Sequence, residues 1–486
     1  MKKKIFTLAI LACMMFVTAC SGQDTPVTAD TTATDAVDNT EADESKITPD
    51  IPADLRFDGR SWRVLCTYDA PFGPILDDFV LEESADVYTQ ALYNRLVKTE
   101  ERFGIDIVLN YCNGPEQCAP LAQQSILSGN DDYDLVVDTA IWHLSQIYDG
   151  LYTPVNDLPY IDLEKPWWNK EYIESVSVNP SNPYILFGSI NQKAIERSCC
   201  TFVNTDLLEE RKDMTANELY DMVLDGKWTL DRMIELNKDT YDDANGNTVK
   251  DDSDYHGLIH DNFYSDYLVY SCGLEFTGRD EDGYPVLNMN NDRTVEFCDK
   301  LISLFHSPDS YSGRTQNESI ATFASGHALF YTNRIFTCVW GEMRDTNMNY
   351  AIIPNPKFDE TVEDYYTNVA ANTQWHMVPV THSDLEFTSA VTEYFAFLGY
   401  EEVIPAYYDI TVKFKYTRGD VDGASQMLDI ITETQRTDFM SVNTLGGMEK
   451  ILAEIVKSGQ NTFSSKYAQR ESGAKYHLKK YIDSIG

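Results

Sequence analysis

Apolar positions along this chain recur with two spacings, and each spacing predicts an element. In Ser61 to Cys66 (SWRVLC), Trp62, Val64 and Cys66 fall on one face at every second position, which predicts a strand. Tyr88 to Phe103 carries Leu92, Leu96 and Phe103 at helical spacing and stops at Gly104. Ile105 to Leu109 predicts a second strand, a helix through Leu121 and Ile126 follows, and Asp134 to Asp138 predicts a third strand. Strands alternating with helices at this spacing imply an α/β chain with a parallel sheet.

Between Leu151 and Ser189 the pattern loosens into Pro-rich, aromatic connections such as Lys165-Pro166-Trp167-Trp168-Asn169. It tightens again at Ser198 to Lys212, a short apolar strand running into a helix capped near Asn204 or Thr205. Thr229 is a good N-cap, with Trp228 before it placed to staple onto Met233. Ala321 to Ser325 reads as a helix ended by Gly326 and followed by a strand. Ser383 with Glu386 predicts a capping box for a helix bearing Phe387, Ala390, Val391, Tyr394 and Leu398, closed by Gly399. A last helix carries Met448, Ile451, Leu452 and Ile455, and the chain shows no internal repeat.

The first residues follow a different logic. Lys2, Lys3 and Lys4 precede an apolar run, Ile5 to Val17, too short for a permanent membrane span, and Ala19 supplies the small residue a signal peptidase needs. Val17-Thr18-Ala19-Cys20 resembles the lipobox of bacterial lipoproteins, whose cysteine receives a diacylglycerol. Two acyl chains suffice for stable anchoring. The alternative is an ordinary signal peptide with a chance cysteine. Residues 1–19 are thus expected to be a signal peptide, and residues 20–54 a lipidated, acidic, disordered tether on the outer face of the membrane. No later apolar run is long enough to span a bilayer.

Composition narrows the function. Hydrophobic content of 43% with 12% aromatic residues is ample for sizeable cores, and the length beyond the tether suits two or three domains. The net charge is −40, and −43 once the three leader lysines leave; a field of that sign repels phosphate backbones and argues against nucleic acid. It suits weakly held divalent cations and neutral ligands. Of ten cysteines, Cys13 leaves with the signal and Cys20 is the lipidation candidate. Cys112 and Cys118 close a small loop and are the best local disulfide candidate; Cys199 and Cys200 cannot bond each other without strain; Cys66 and Cys338 sit in apolar runs as buried thiols or bridge partners. No cysteine or histidine spacing suits zinc.

Five segments together resemble one family. Phe202-Val203-Asn204-Thr205-Asp206-Leu207-Leu208-Glu209 looks like the hinge crossing of extracellular solute-binding proteins of ABC importers, the maltose-binding-protein-like class. Gly226 to Asp231 (GKWTLD) is similar to that family's Trp-Thr-Trp-Asp-Glu helix start. Ala321 to Phe330 resembles its Phe-x-x-Gly-Lys-Ala-Ala-Met motif, and Tyr350 to Pro356 its Tyr-x-Val-x-Pro-x-Pro strand end. The helix after Ser383 looks like the family's return into the first lobe. The resemblance runs from about residue 55 to the C-terminus and implies a two-lobed periplasmic-binding-protein-like fold, each lobe a sheet flanked by helices. Lobe 1 would take 55–195 plus 366–415, and lobe 2 would take 196–365 plus 416–486. It further implies a monomeric, non-enzymatic binder that captures a solute, with carbohydrate favoured, and passes it to ABC permease subunits.

Two sets of residues could carry chemistry. Counting Asp243 as one, Asp243, Asn245, Asn247, Asp251 and Asp254 fall at positions 1, 3, 5, 9 and 12, with the Val249 carbonyl at 7, the order of a calcium loop. Thr248 stands where position 6 wants glycine, and Asp254 replaces the usual glutamate. A bound Ca2+ would fix the loop; the alternative is a solvated acidic turn. For ligand contacts the carboxyl ends of strands are the guide. Asp138 and Thr139 end the third strand and Trp142 follows; Asn333 and Arg334 end the strand after Ala328; Trp340 and Trp375 lie near a rim and a hinge, and Trp168 in the loose connection. Sugars pack their C–H faces on aromatic rings and take hydrogen bonds from Asp, Asn and Arg. Against this, Asp138 could simply cap the next helix, and each tryptophan could be core.

No HExxH, GxSxG, Walker or GxGxxG pattern is present, and carboxylates are too many for any pair to single out a glycosidase. A secreted carbohydrate-active hydrolase and a surface sensor that presents ligand to a kinase stand as the rival readings.

Overall fold

Alternation in the first predicted strand is borne out by two separate cores on its two sides. In the computed structural model, which describes residues 47–68, 78–261, 265–408 and 421–485, Trp62, Val64 and Cys66 join one hydrophobic cluster and Leu65 joins another on the opposite face. Leu135 and Val137 share the first cluster and Val136 the second. Cys20, the signal and the tether up to residue 46 lie outside the described residues.

The strands in chain order are β1 (Ser61–Tyr68), β2 (Asp106–Asn113), β3 (Leu135–Thr139), β4 (Cys199–Asn204), β5 (His256–Asp261), β6 (Thr277–Arg279), β7 (Pro285–Leu287), β8 (Tyr311–Gly313), β9 (Ala328–Arg334), β10 (Tyr350–Pro354), β11 (Thr367–Asn368), β12 (Gln374–Met377) and β13 (Gln435–Arg436). One sheet has the order β12-β3-β1-β2, with β1, β2 and β3 parallel and β12 antiparallel to β3. A second has the order β10-β4-β9-β5-β8, in which β5, β8 and β9 run parallel and β4 opposes both its neighbours. The chain leaves the first sheet after β3, builds the second from β4 to β10, and returns with β12. It then reaches the second again through the helix Val421–Glu433, which packs on β10. Both sheets belong to one compact unit that starts at Thr48, so the lobes are set by separate sheets rather than by a gap in contacts.

Local chemistry explains the boundaries. Asp86 accepts from the Thr89 N–H at 2.8 Å to open the helix Val87–Phe103, and Gly104 closes it at φ 68°. Asn204 caps Thr205–Lys212 by accepting from Asp206 and Leu207, and Thr229 caps Leu230–Asn237. Trp228 is fully buried, like Met233, and its indole donates to the Pro354 carbonyl at 2.9 Å, pinning this cap to the end of β10.

Two expectations at the helix Leu385–Leu398 need correction. Its N-cap is Asp384, which accepts from the Phe387 N–H at 3.1 Å, so Ser383 and Glu386 form no capping box. Gly399 does not end it: the residue is right-handed helical and the chain continues through a wide turn, Gly399–Val403. A Cβ there would lie 2.0 Å from the Ser189 carbonyl oxygen, so the glycine serves close approach of two backbones.

Two contacts tie the lobes together away from their sheets. Arg279 of the β6–β7 hairpin donates to the carbonyls of Glu174, Ser175, Ser177 and Val178, at and just beyond the C-terminal end of the helix Lys170–Val176. Tyr148 stacks on Tyr481 of the C-terminal helix at 4.2 Å and donates to Asn443. No described helix is long and apolar enough to cross a membrane.

Candidate functional site

The carboxyl ends of β3 and β9 are joined by a short relay of backbone hydrogen bonds. Ala140 N–H donates to Thr373 O (3.0 Å), Thr373 N–H to Ala370 O (2.9 Å), and Ala370 N–H to Arg197 O (3.0 Å). Ile335, just past β9, donates to Ser198 O at 2.9 Å. Strand carboxyl ends are where α/β sheets leave room for ligands. The relay makes the crossing segments 197–199 and 368–373 the floor between two such ends.

The first lobe's side of this floor presents Ile141 and Trp142, each 46% exposed at the start of the helix Ala140–Tyr148. Thr139 is half-buried beside them. Asp138 is not at the surface. Its carboxylate is fully buried, accepts from Thr67 Oγ1 and from the Thr139 N–H (2.6 Å), and pairs with His143 Nε2 (2.7 Å). His143 continues through Nδ1 to the Tyr152 hydroxyl (2.6 Å). With both oxygens engaged, Asp138 has none to offer a ligand; it fixes the end of β3 under Trp142, and the N-cap position belongs to Thr139.

Cys118 lies within 4.8 Å of Asp138 and His143. This buried trio, assembled from distant positions, was invisible in the spacing, and its ring nitrogens are already hydrogen-bonded. Cys112 and Cys118, the best local disulfide candidate, face each other as buried free thiols.

Trp168 and Trp375 are core residues. The Trp168 indole donates to Glu393 Oε2 at 2.8 Å and the Trp375 indole to the Tyr172 hydroxyl at 3.2 Å, and both rings are buried. Neither ring face is free for a sugar.

On the second lobe's side, Asn333 is fully buried, accepts from the Arg334 N–H (2.8 Å) and donates to the Tyr331 hydroxyl. Trp340 is half-buried with its ring 5.2 Å from Phe336, next to exposed Val339. Arg334 itself lies at the floor, its guanidinium 5.2 Å over the Tyr267 ring, with its Nε buried and without a hydrogen-bond partner.

Asp266, a residue the sequence did not single out, opens the short helix after β5; its Oδ1 is likewise buried and unpartnered, and burial pushes its carboxyl up to about 6. The two charges flank the Cys199 thiol, which burial raises to about 12 while Arg334 and Asp266 pull it in opposite directions. Tyr267, Cys199 and Ala370 pack together beneath them. A buried donor atom and a buried acceptor atom thus lie near Cys199, each without a hydrogen-bond partner.

The acidic loop is a separate feature. A pair of backbone bonds between Asp242 and Tyr255 closes its base. Asp243 accepts from the N–H groups of Asn247 (3.2 Å) and Thr248 (2.8 Å), Asn245 from Asn247 (2.9 Å), Asn247 from Val249 (2.6 Å), and Asp251 from Ser253 (2.9 Å). Val249 is exposed. Thr248 takes the left-handed conformation, φ 63°, that position 6 demands of glycine.

No protein-family model matches the sequence, and no curated protein matches it. Solved structures do. A cyclo/maltodextrin-binding protein complexed with maltotetraose superposes with a TM-score of 0.58 at 13% identity, covering 88% of this chain and 99% of that one. The chain has the two-lobed periplasmic-binding-protein-like fold. The GacH receptor of Streptomyces glaucescens GLA.O, solved unliganded and with acarbose, shares this binding-protein fold with a TM-score of 0.53 at 11% identity, covering 87% of this chain and 99% of that one.

Proposed function

We propose that this chain is the solute-binding lipoprotein of an ABC importer, capturing a carbohydrate in the cleft between its lobes and delivering it unaltered to membrane permease subunits. Lobe 1 comprises 55–195 and 366–415, and lobe 2 comprises 196–365 and 416–486. The observations that carry the reading are the unpartnered Asp266 Oδ1 and Arg334 Nε, both near Cys199 at the crossing segment, together with Ile141 and Trp142 exposed just past β3 and Val339 exposed just past β9. A sugar hydroxyl can donate to Asp266 and accept from Arg334, while its C–H faces rest on Trp142. Ligand that touches both walls only when they approach favours the closed arrangement by its differential affinity. The structural neighbours solved in complex with maltotetraose and with acarbose support a carbohydrate over other solutes. The chain acts as a monomer, held on the outer face of the membrane through lipid on Cys20 and the acidic tether.

Arg334→Met and Asp266→Asn test the reading. Each is expected to weaken oligosaccharide binding by at least about tenfold, the size of a lost charge-assisted hydrogen bond, and small-angle scattering should show the wild type contracting on saturation. Unchanged affinity in both variants, or a shortened sugar recovered after incubation, would refute it.

A further inference from the structure

Asp254 carries an observation the ligand cleft does not use. Its residue is fully buried, its Oδ2 accepts from the Asp251 N–H (3.1 Å) and the Tyr241 hydroxyl (3.2 Å), and its Oδ1 has no hydrogen-bond partner. A buried carboxylate oxygen left without a donor is costly unless a cation meets it. The bond from the Asp251 N–H joins this carboxylate to the loop, where the Asn245 and Asn247 amides in turn meet the Asp251 carboxylate.

We infer that residues 243–254 bind one Ca2+ through the side-chain oxygens of Asp243, Asn245, Asn247, Asp251 and Asp254 and the Val249 carbonyl. The donor set is all oxygen, six groups in number and flexible, which favours Ca2+ over the smaller, strictly octahedral Mg2+. The amide oxygens of Asn245 and Asn247 each accept one N–H and keep a second lone pair for the ion. Such a cage leaves no open position for substrate, so the ion is structural. It fastens the loop between the helix Leu230–Asn237 and β5, and β5 sits inside the second sheet, so the ion stabilises lobe 2 whatever the cleft binds.

Terbium in place of calcium gives a direct readout, because Tyr241 lies against Asp254 and can pass excitation to a bound lanthanide. Expected is saturable Tb3+ emission on tyrosine excitation, displaced by Ca2+ and much less by Mg2+, and lost in Tyr241→Phe. Ca2+ at about 100 times its Kd should raise the folded-to-unfolded ratio about 100-fold, seen as a higher melting temperature that chelation reverses. Asp254→Asn should weaken Ca2+ at least about tenfold. Should that variant fail to fold, exposed Asn245→Ala serves in its place. Emission and a melting shift that persist undiminished in these variants would place the ion elsewhere on the acidic surface and overturn the assignment, as would a protein whose melting ignores Ca2+.

Discussion

Glu393 offers a sharp test of how burial and hydrogen bonding compete in this fold. It sits fully buried on the helix Leu385–Leu398 and accepts from the indoles of Trp167 (2.9 Å) and Trp168 (2.8 Å) and from the Asp162 backbone N–H. Burial pushes its carboxyl up to about 8, against these three donors, which favour the carboxylate. In the unfolded chain it ionises near 4.5. The folded state therefore holds a proton that the unfolded state releases between these values. The stability it contributes is fully present below pH 4.5 and is lost as pH rises through about 8.

At 1.36 kcal/mol per pH unit the full effect is about 5 kcal/mol, of which about 4 kcal/mol falls between pH 5 and 8. Buried His260, pushed down to about 4, and His376, to about 3, work in the opposite sense and lose stability as pH falls below 6.5. Comparison with Glu393→Gln cancels them. Urea unfolding of both proteins from pH 5 to 8, followed by tryptophan fluorescence, should show the glutamine variant gaining on wild type by about 4 kcal/mol. A difference that stays constant with pH would mean that the three donors keep Glu393 ionised throughout, and the reasoning from burial would fail.

Trp142→Ala should leave the melting temperature within about 2 °C, since the ring is half exposed, yet weaken oligosaccharide binding about tenfold or more by titration; unchanged affinity would remove Trp142 from the cleft. Arg279→Ala strips the donors from four carbonyls at the end of the helix Lys170–Val176 and should cost about 2–4 kcal/mol, with faster hydrogen exchange confined to residues near 174–178. Exchange unchanged there would mean the clamp is dispensable.

The parts of this fold that rest on local pattern were legible in the sequence. Alternation in β1, the helix ending at Gly104 and the caps at Asn204 and Thr229 are all set within a few residues. What failed depended on distant partners. Ser383 was a plausible cap, but Asp384 was stronger, being also paired with Arg60. Gly399 looked like a stop signal, whereas its smallness answers to Ser189, more than two hundred residues earlier in the chain. Asp138 stood at the expected strand end, yet Thr67 and His143 had claimed both of its oxygens. Trp168 and Trp375 illustrate the same limit, since spacing cannot tell an indole that meets Glu393 or Tyr172 from one that meets a ligand. Asp266 could have been noticed only as an acidic residue soon after β5, a weak signal in a chain with 78 acids.

The central claim is a two-lobed protein that clamps a neutral oligosaccharide without changing it. Isothermal titration calorimetry of linear and cyclic malto-oligosaccharides into the protein tests it most directly. The account predicts saturable heats at one ligand per chain for at least one sugar, each injection returning to baseline. Sustained heat flow after injection, the signature of turnover, or no saturable heat with any sugar while a peptide saturates the site, would contradict it.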